Sequence, residues 1–105
     1  MSKRLAYLEN LVATDKADSF ARYALALEYR GLDRPAEALA AFRALRDRDP
    51  DYLATYLICG TTLIELARFD EAREWLEAGI IVAKRQRNMH TVGELESALA
   101  GLVKH

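Results

Sequence analysis

Two histidines and one cysteine are the residues best suited to metal or nucleophilic chemistry in this 105-residue sequence. Cys59 stands in the apolar stretch YLICGTTL without a neighbouring His or Lys, a setting typical of a buried hydrophobic residue. His90 and His105 have no Cys, His or Asp partner at the spacing of a metal site or a catalytic triad. We therefore predict surface histidines and no metal site.

The acidic residues do not indicate acid-base catalysis. They are spread along the polar faces of several predicted helices and the loops between them, so no pair is predicted to act as general acid and base. The sequence also contains no glycine-rich phosphate-binding loop. It predicts a protein that is not an enzyme, with no catalytic residue and no cofactor.

The one basic cluster, AKRQR, contributes the cations Lys84, Arg85 and Arg87. Cations at a helix C-terminus meet its partial negative charge, so a solvated helix end is the favoured interpretation. The alternative is a contact with nucleic acid or an acidic peptide. The formal net charge of −1 provides no overall field to attract phosphates or an anionic membrane, so nucleic acid is an unlikely partner.

The apolar segments are too short and too interrupted to span a membrane. The opening MSKRLAYLENL contains Glu9 and Asn10, and no later segment approaches the roughly 18 uninterrupted apolar residues that spanning requires. Hydrophobic residues make up 51% and charged residues 30%, a balance typical of a compact helical protein. We expect a single domain over residues 1–105, in the cytoplasm, of bacterial origin and without membrane contact.

Apolar residues recur at intervals of three and four along most of the chain, the spacing that lines one face of a helix. Gly31 is expected to end the second helix in the left-handed conformation, and Pro35 to begin the third. The residues expected to cap the second, fourth and fifth helices are Asp18 or Ser19, Asp51 and Asp70. We predict six helices and no strand, at about 4–13, 19–30, 35–48, 52–67, 70–85 and 91–103.

Two segments, DRPAEALAAF at 33–42 and ARFDEAREWL at 67–76, lie 34 residues apart. At this spacing small residues mostly align with small ones and large with large. The aligned pairs are Leu25 with Cys59, Ala26 with Gly60, Tyr29 with Leu63, Ala38 with Ala72, and Phe42 with Leu76. The pattern resembles the tetratricopeptide repeat, in which two antiparallel helices recur every 34 residues.

The resemblance implies an all-α fold, a tetratricopeptide-like α-solenoid of antiparallel helix pairs stacked as a right-handed superhelix. It divides the chain into an N-terminal half repeat (1–18), two repeats (19–52 and 53–86) and a C-terminal capping helix (87–105). Ala26 and Gly60 fall where the two helices of a repeat cross, and small side chains there permit close approach. The sequence departs from the family pattern at Arg22, Leu45, Cys59, Gly79 and Lys84.

In this family the first helix of each repeat lines a concave groove that usually takes a peptide. The resemblance therefore implies a protein-protein interaction module that binds a peptide or partner protein through a mostly apolar face. The matching positions are Phe20, Tyr23, Leu27, Arg30, Ala54, Leu57, Thr61 and Ile64. A homodimer through the same face is the alternative, because large exposed apolar patches usually mark an interface.

Family members that bind a chaperone's C-terminal carboxylate carry Lys, Asn and Arg in the groove. The corresponding residues in this sequence are Tyr23, Leu27, Ile58, Asn88 and Val92. Chaperone-tail recognition is therefore disfavoured.

Overall fold

The computed structural model describes residues 2–102, and every regular element within that range is a helix. The six helices are α1 (Lys3–Ala13), α2 (Ser19–Gly31), α3 (Pro35–Arg48), α4 (Ala54–Glu65), α5 (Phe69–Arg85) and α6 (Met89–Leu102). The predicted number and order of helices are confirmed. The predicted end of the sixth helix at 103 lies outside the described residues.

The contacts divide the chain into two compact units, residues 1–52 and 53–105. In the first unit α2 packs on both α1 and α3. Its buried core includes Leu5, Leu25, Ala26, Ala38 and Phe42. Ser19 ties the start of α2 to the end of α3, because its hydroxyl donates to the Asp49 carboxylate at 2.6 Å.

In the second unit α5 packs on both α4 and α6. Gly60 faces Leu76, and Tyr56 faces Gly79. Residue numbers therefore increase along α4 in the direction in which they decrease along α5. The two helices are therefore antiparallel. A Cβ atom added at Gly60 would lie 2.5 Å from Leu76 Cδ2, which confirms that Gly60 sits at a close helix crossing.

Pro35 and Asp18 begin helices as predicted. Pro35 occupies the first turn of α3, and the Asp18 carboxylate accepts the Ala21 backbone N–H at 2.8 Å. The predictions for Asp51 and Asp70 are wrong. No side chain caps α4, which begins at Ala54, and α5 begins before Asp70, placing that carboxylate in its first turn.

The starts of α3 and α5 carry a repeated ion pair instead of a cap. Arg34 Nε donates to Glu37 at 2.6 Å, and Arg68 Nε donates to Glu71 at 2.8 Å, with a second guanidinium contact in each pair. The forked geometry suits Arg and carboxylate, and the glutamates lie in first turns, where negative charge is favoured. The Arg34 hydrogen bond also lowers the pKa of Glu37.

Gly31 does not end α2 in the way predicted. It is the last residue of the helix, and no described glycine has a positive φ. The left-handed residue is Asp33 at φ 57°, which lets Arg34 N–H donate to the Tyr29 carbonyl at 2.9 Å. Aspartate tolerates this conformation because its short polar side chain bonds locally. Ala67, 34 residues later, also has φ 57° and precedes the same type of bond.

Tyr29 links α2 to α1 through its hydroxyl, which donates to the Glu9 carboxylate. Its ring is buried, and the Arg34 guanidinium lies 5.0 Å from the ring centroid. Burial and then the Glu9 hydrogen bond raise the pKa of Tyr29 to about 12. The neutral phenol is therefore the form that this environment stabilises.

Tyr29→Phe is expected to lower the free energy of unfolding by about 1 kcal/mol at neutral pH, the usual net contribution of a hydrogen bond. The folded pKa lies above the unfolded value of about 10, so this contribution is present below pH 10 and is lost as pH rises towards 12. Urea denaturation of both proteins between pH 7 and 12 measures the difference. Burial also raises the pKa of Tyr23 and Tyr52. Both residues are present in the variant, so their contributions cancel in the difference between the two proteins. If the free energies of unfolding of the two proteins changed with pH in parallel, the assigned role of the Tyr29 hydroxyl would be contradicted.

Candidate protein-binding surface

The α2 surface consists of Phe20, Tyr23, Leu27 and Arg30, spaced by three and four residues along one side of the helix. The Phe20 side chain is 68% exposed, and the other three are partly exposed. Tyr23 packs against Tyr52 with ring centroids 5.7 Å apart. This contact holds the Tyr23 ring in place while leaving part of it open to solvent.

The α4 surface consists of Ala54, Leu57, Thr61 and Ile64. Ala54 is exposed, and the other three are half-buried. The Thr61 hydroxyl donates to the Ile58 carbonyl at 3.0 Å, so its hydrogen bond is made within the helix. The surface is chemically suited to burying the apolar side chains of a ligand. That these four residues and the α2 surface line one concave groove stays a prediction.

The positions of the chaperone-tail clamp carry no charge here. Val92 is buried, and the Asn88 carboxamide accepts the Thr91 backbone N–H at 3.1 Å at the start of α6. None of the five residues at these positions supplies a cation for a carboxylate. The structure adds a reason to disfavour chaperone tails, since Asn88 acts in helix capping.

An open groove between α1 and α2 was not predicted from the sequence. Its volume is about 600 Å³, and Tyr7 and Phe20 are its most exposed apolar side chains, at 65% and 68%. We call this feature the α1–α2 groove; its lining is Arg4, Tyr7, Leu8, Leu11, Lys16, Asp18, Phe20, Ala21 and Ala24. The signal in the sequence is Tyr7, an aromatic residue within the first predicted helix.

Residues with metal-binding or nucleophilic chemistry are dispersed. Within residues 2–102, no three His, Cys, Asp or Glu side chains group together in a way that could hold a metal ion. Cys59 is fully buried, as predicted. His90 Nε2 lies 3.6 Å from Glu94 on the exposed side of α6, while His105 lies outside the described residues.

The basic run lies at the end of α5. Lys84 and Arg85 are in the last helical turn, and Arg87 follows with φ 60°; all three are exposed. This placement confirms that the run is a helix end, where cations stabilise the C-terminal dipole.

Known proteins match both the sequence and the fold. The family model described as tetratricopeptide repeat matches residues 29–92, more than half of the chain. The chain belongs to the tetratricopeptide repeat family. Family members are generally non-catalytic scaffolds for protein-protein interaction, so the coarse function of the fold is interaction with proteins. No curated protein matches this tetratricopeptide repeat chain significantly.

Solved tetratricopeptide repeat domains are similar to the chain over most of its length. A crystal structure of one from Salinibacter ruber is 36% identical, with a TM-score of 0.78, covering 84% of this chain and 98% of its own. A solution structure of such a domain from the same organism is 38% identical with TM-score 0.78, covering 81% and 86%. A Bordetella parapertussis protein is 27% identical with TM-score 0.83, covering 99% and 90%.

Among the described residues, no helix combines the length and apolar character needed to cross a membrane. The three structures described above come from bacteria. The cytoplasmic location and bacterial origin of this tetratricopeptide repeat chain stay predictions.

Proposed function

We propose that the chain is a non-enzymatic adaptor that binds a peptide segment or a partner protein through the α2 surface and the α4 surface. The observation that carries the proposal is the 68% exposure of Phe20 beside partly exposed Tyr23 and Leu27. Exposed aromatic side chains bury large apolar areas and are frequent binding anchors. The fold supports the proposal, because its relatives generally serve protein-protein interaction.

Binding through these surfaces would rest on apolar contact. Each Å² of apolar surface removed from water contributes about 25 cal/mol before the costs of association. The proposed ligand is therefore a segment with bulky apolar side chains.

The test uses peptides selected from a displayed random library on the purified chain, with affinities measured by calorimetry. We expect Phe20→Ser and Leu57→Ser each to weaken binding about tenfold, which corresponds to roughly 1.4 kcal/mol. Ile81→Ser is the matched control, because Ile81 is 65% exposed on α5 and outside both surfaces. Equal affinity in all three variants would contradict the proposal.

The same assay across salt separates this proposal from nucleic-acid or acidic-peptide binding at residues 84–87. Phosphate contacts weaken steeply as salt rises, whereas apolar contacts do not.

Self-association through the α2 surface and the α4 surface is the second candidate function. The same exposure of Phe20 supports it, because exposed apolar patches often mark an interface.

A further inference from the structure

The lining of the α1–α2 groove matches the face of α5 that holds α4. Counting by the 34-residue period, Arg4, Tyr7, Leu8 and Leu11 correspond to Ala72, Trp75, Leu76 and Gly79. In the second unit, Leu76 lies against Gly60 and Gly79 against Tyr56. Trp75 also packs on Tyr56, with ring centroids 5.8 Å apart. The groove therefore lies where the first helix of a preceding repeat would pack.

Helix α6 corresponds to the first helix of a repeat, and the side that would face its second helix is exposed. By the same count it corresponds to α4, and its residues His90, Gly93, Glu94 and Ser97 match Tyr56, Cys59, Gly60 and Leu63. All four residues of the α4 set are buried, and all four of the α6 set are exposed. A Cβ atom added at Gly93 would meet nothing within 4 Å. The face of α6 that would pack on a second helix is thus uncovered within the described residues.

The two faces carry opposite charges at positions that the repeat period brings together. Glu94 holds the place of Gly60, which faces Leu76, and Arg4 precedes Leu8, the counterpart of Leu76, by one helical turn. If α6 lay along α1 in the register of α4 along α5, but farther from it because Glu94 replaces Gly60, Glu94 would come within reach of Arg4. His90, in the place of Tyr56, would meet Tyr7 and Leu11, so α6 must lie farther from α1 than α4 lies from α5, where Gly60 and Gly79 allow close approach.

We propose that α6 of one copy seats in the α1–α2 groove of a second copy, so that two chains complete one repeat head to tail. This contact shares Phe20 with the α2 surface of the proposed function, whereas Arg4, Tyr7 and Glu94 lie outside both surfaces of that function. A second copy is favoured because one chain carries both complementary faces. The contact is heterologous, and each pair of chains retains one open groove and one open α6, so association continues beyond two copies unless a ring closes.

Analytical ultracentrifugation of the full chain from micromolar to millimolar concentration tests the proposal. We expect the average mass to rise above the 11.8 kDa of one chain, and to fall back as salt screens the ion pair. Arg4→Glu and Glu94→Arg are each expected to weaken association at least about tenfold, because each sets like charges against each other. An equimolar mixture of the two variants is expected to regain association, since alternating copies then pair Glu with Arg at every contact.

Two further variants protect the test from indirect effects. Arg4 lies 3.6 Å from Glu28 of its own chain, so Arg4→Gln removes the charge without adding repulsion and should weaken association severalfold. Tyr7→Ser should weaken association, whereas Ile81→Ser, at an equally exposed site outside the groove, should not. Circular dichroism confirms that each variant is folded.

Three results would overturn the proposal. The wild-type chain could stay at 11.8 kDa up to millimolar concentration. Association could survive both charge reversals but respond to Leu57→Asp, which would place the contact on the α4 surface. The mixture of charge variants could also remain monomeric although each variant is folded.

Discussion

Gly60→Leu is expected to lower the free energy of unfolding by about 1–3 kcal/mol. A Cβ atom at this position would lie 2.5 Å from Leu76 Cδ2 and 2.8 Å from its Cγ. Leu76 is fully buried, so moving its side chain would disturb the packing around it. Leucine favours a helix over glycine by less than about 1 kcal/mol, so the steric cost decides the sign.

Gly93→Leu is the matched control for this change. Gly93 lies within α6, is exposed, and has no neighbour within 4 Å of an added Cβ. The same substitution should therefore raise stability by up to about 1 kcal/mol. Urea denaturation at low micromolar concentration, where copies do not associate, measures both variants. Equal stability changes would contradict the close crossing of α4 and α5.

Gly79→Ala is expected to lower the free energy of unfolding by about 1–3 kcal/mol. The general rule for a helical glycine predicts a gain with alanine, and alanine is what the repeat pattern prefers here. The structure reverses that prediction, because the added Cβ atom would lie 2.6 Å from Tyr56 Cβ and 3.2 Å from Leu95 Cδ2. The Tyr56 Cβ is fixed to the α4 backbone, so the helices themselves would have to separate.

Gly93→Ala supplies the comparison for this second change, since an unobstructed helical glycine should gain up to about 1 kcal/mol on becoming alanine. Thermal melting of both variants is sufficient, because the expected shifts have opposite signs. A stabilised Gly79→Ala protein would show that α4 and α5 can accommodate the methyl group without loss.

One departure from the family pattern, Gly79, is explained by side-chain volume. In the second unit, buried Tyr56 stands against Gly79, so the large and the small residue share one space. At the equivalent positions of the first unit, Arg22 forms an ion pair with Asp15 at 3.2 Å, and Leu45 is fully buried. The sequence alone shows the departure at Gly79 but not that Tyr56 compensates for it.

The helices could be predicted from the sequence because the apolar spacing and the 34-residue period agree. Helix ends were less predictable, because Asp33 and Ala67 adopt the left-handed conformation that was expected of Gly31. Backbone hydrogen bonds from the following residues stabilise these two turns, and side-chain type alone does not indicate such bonds.

The sequence predicted the α2 and α4 surfaces but not the α1–α2 groove. The α2 and α4 surfaces followed from the family resemblance, and the structure leaves parts of both exposed. The sequence does not indicate the α1–α2 groove, because the division into repeats assigns residues 1–18 to a half repeat and no binding residue to it. Tyr7, 65% exposed, shows that α1 presents an apolar side to solvent.

The most direct test of the proposed function is an amide nitrogen-proton NMR titration of the labelled chain with a library-selected peptide. The account predicts that the largest shift changes fall on residues 20–30 of α2 and 54–64 of α4, with little change along the exposed sides of α3 and α5. Shift changes concentrated on α3, α5 or the basic run 84–87, with α2 and α4 unaffected, would contradict it.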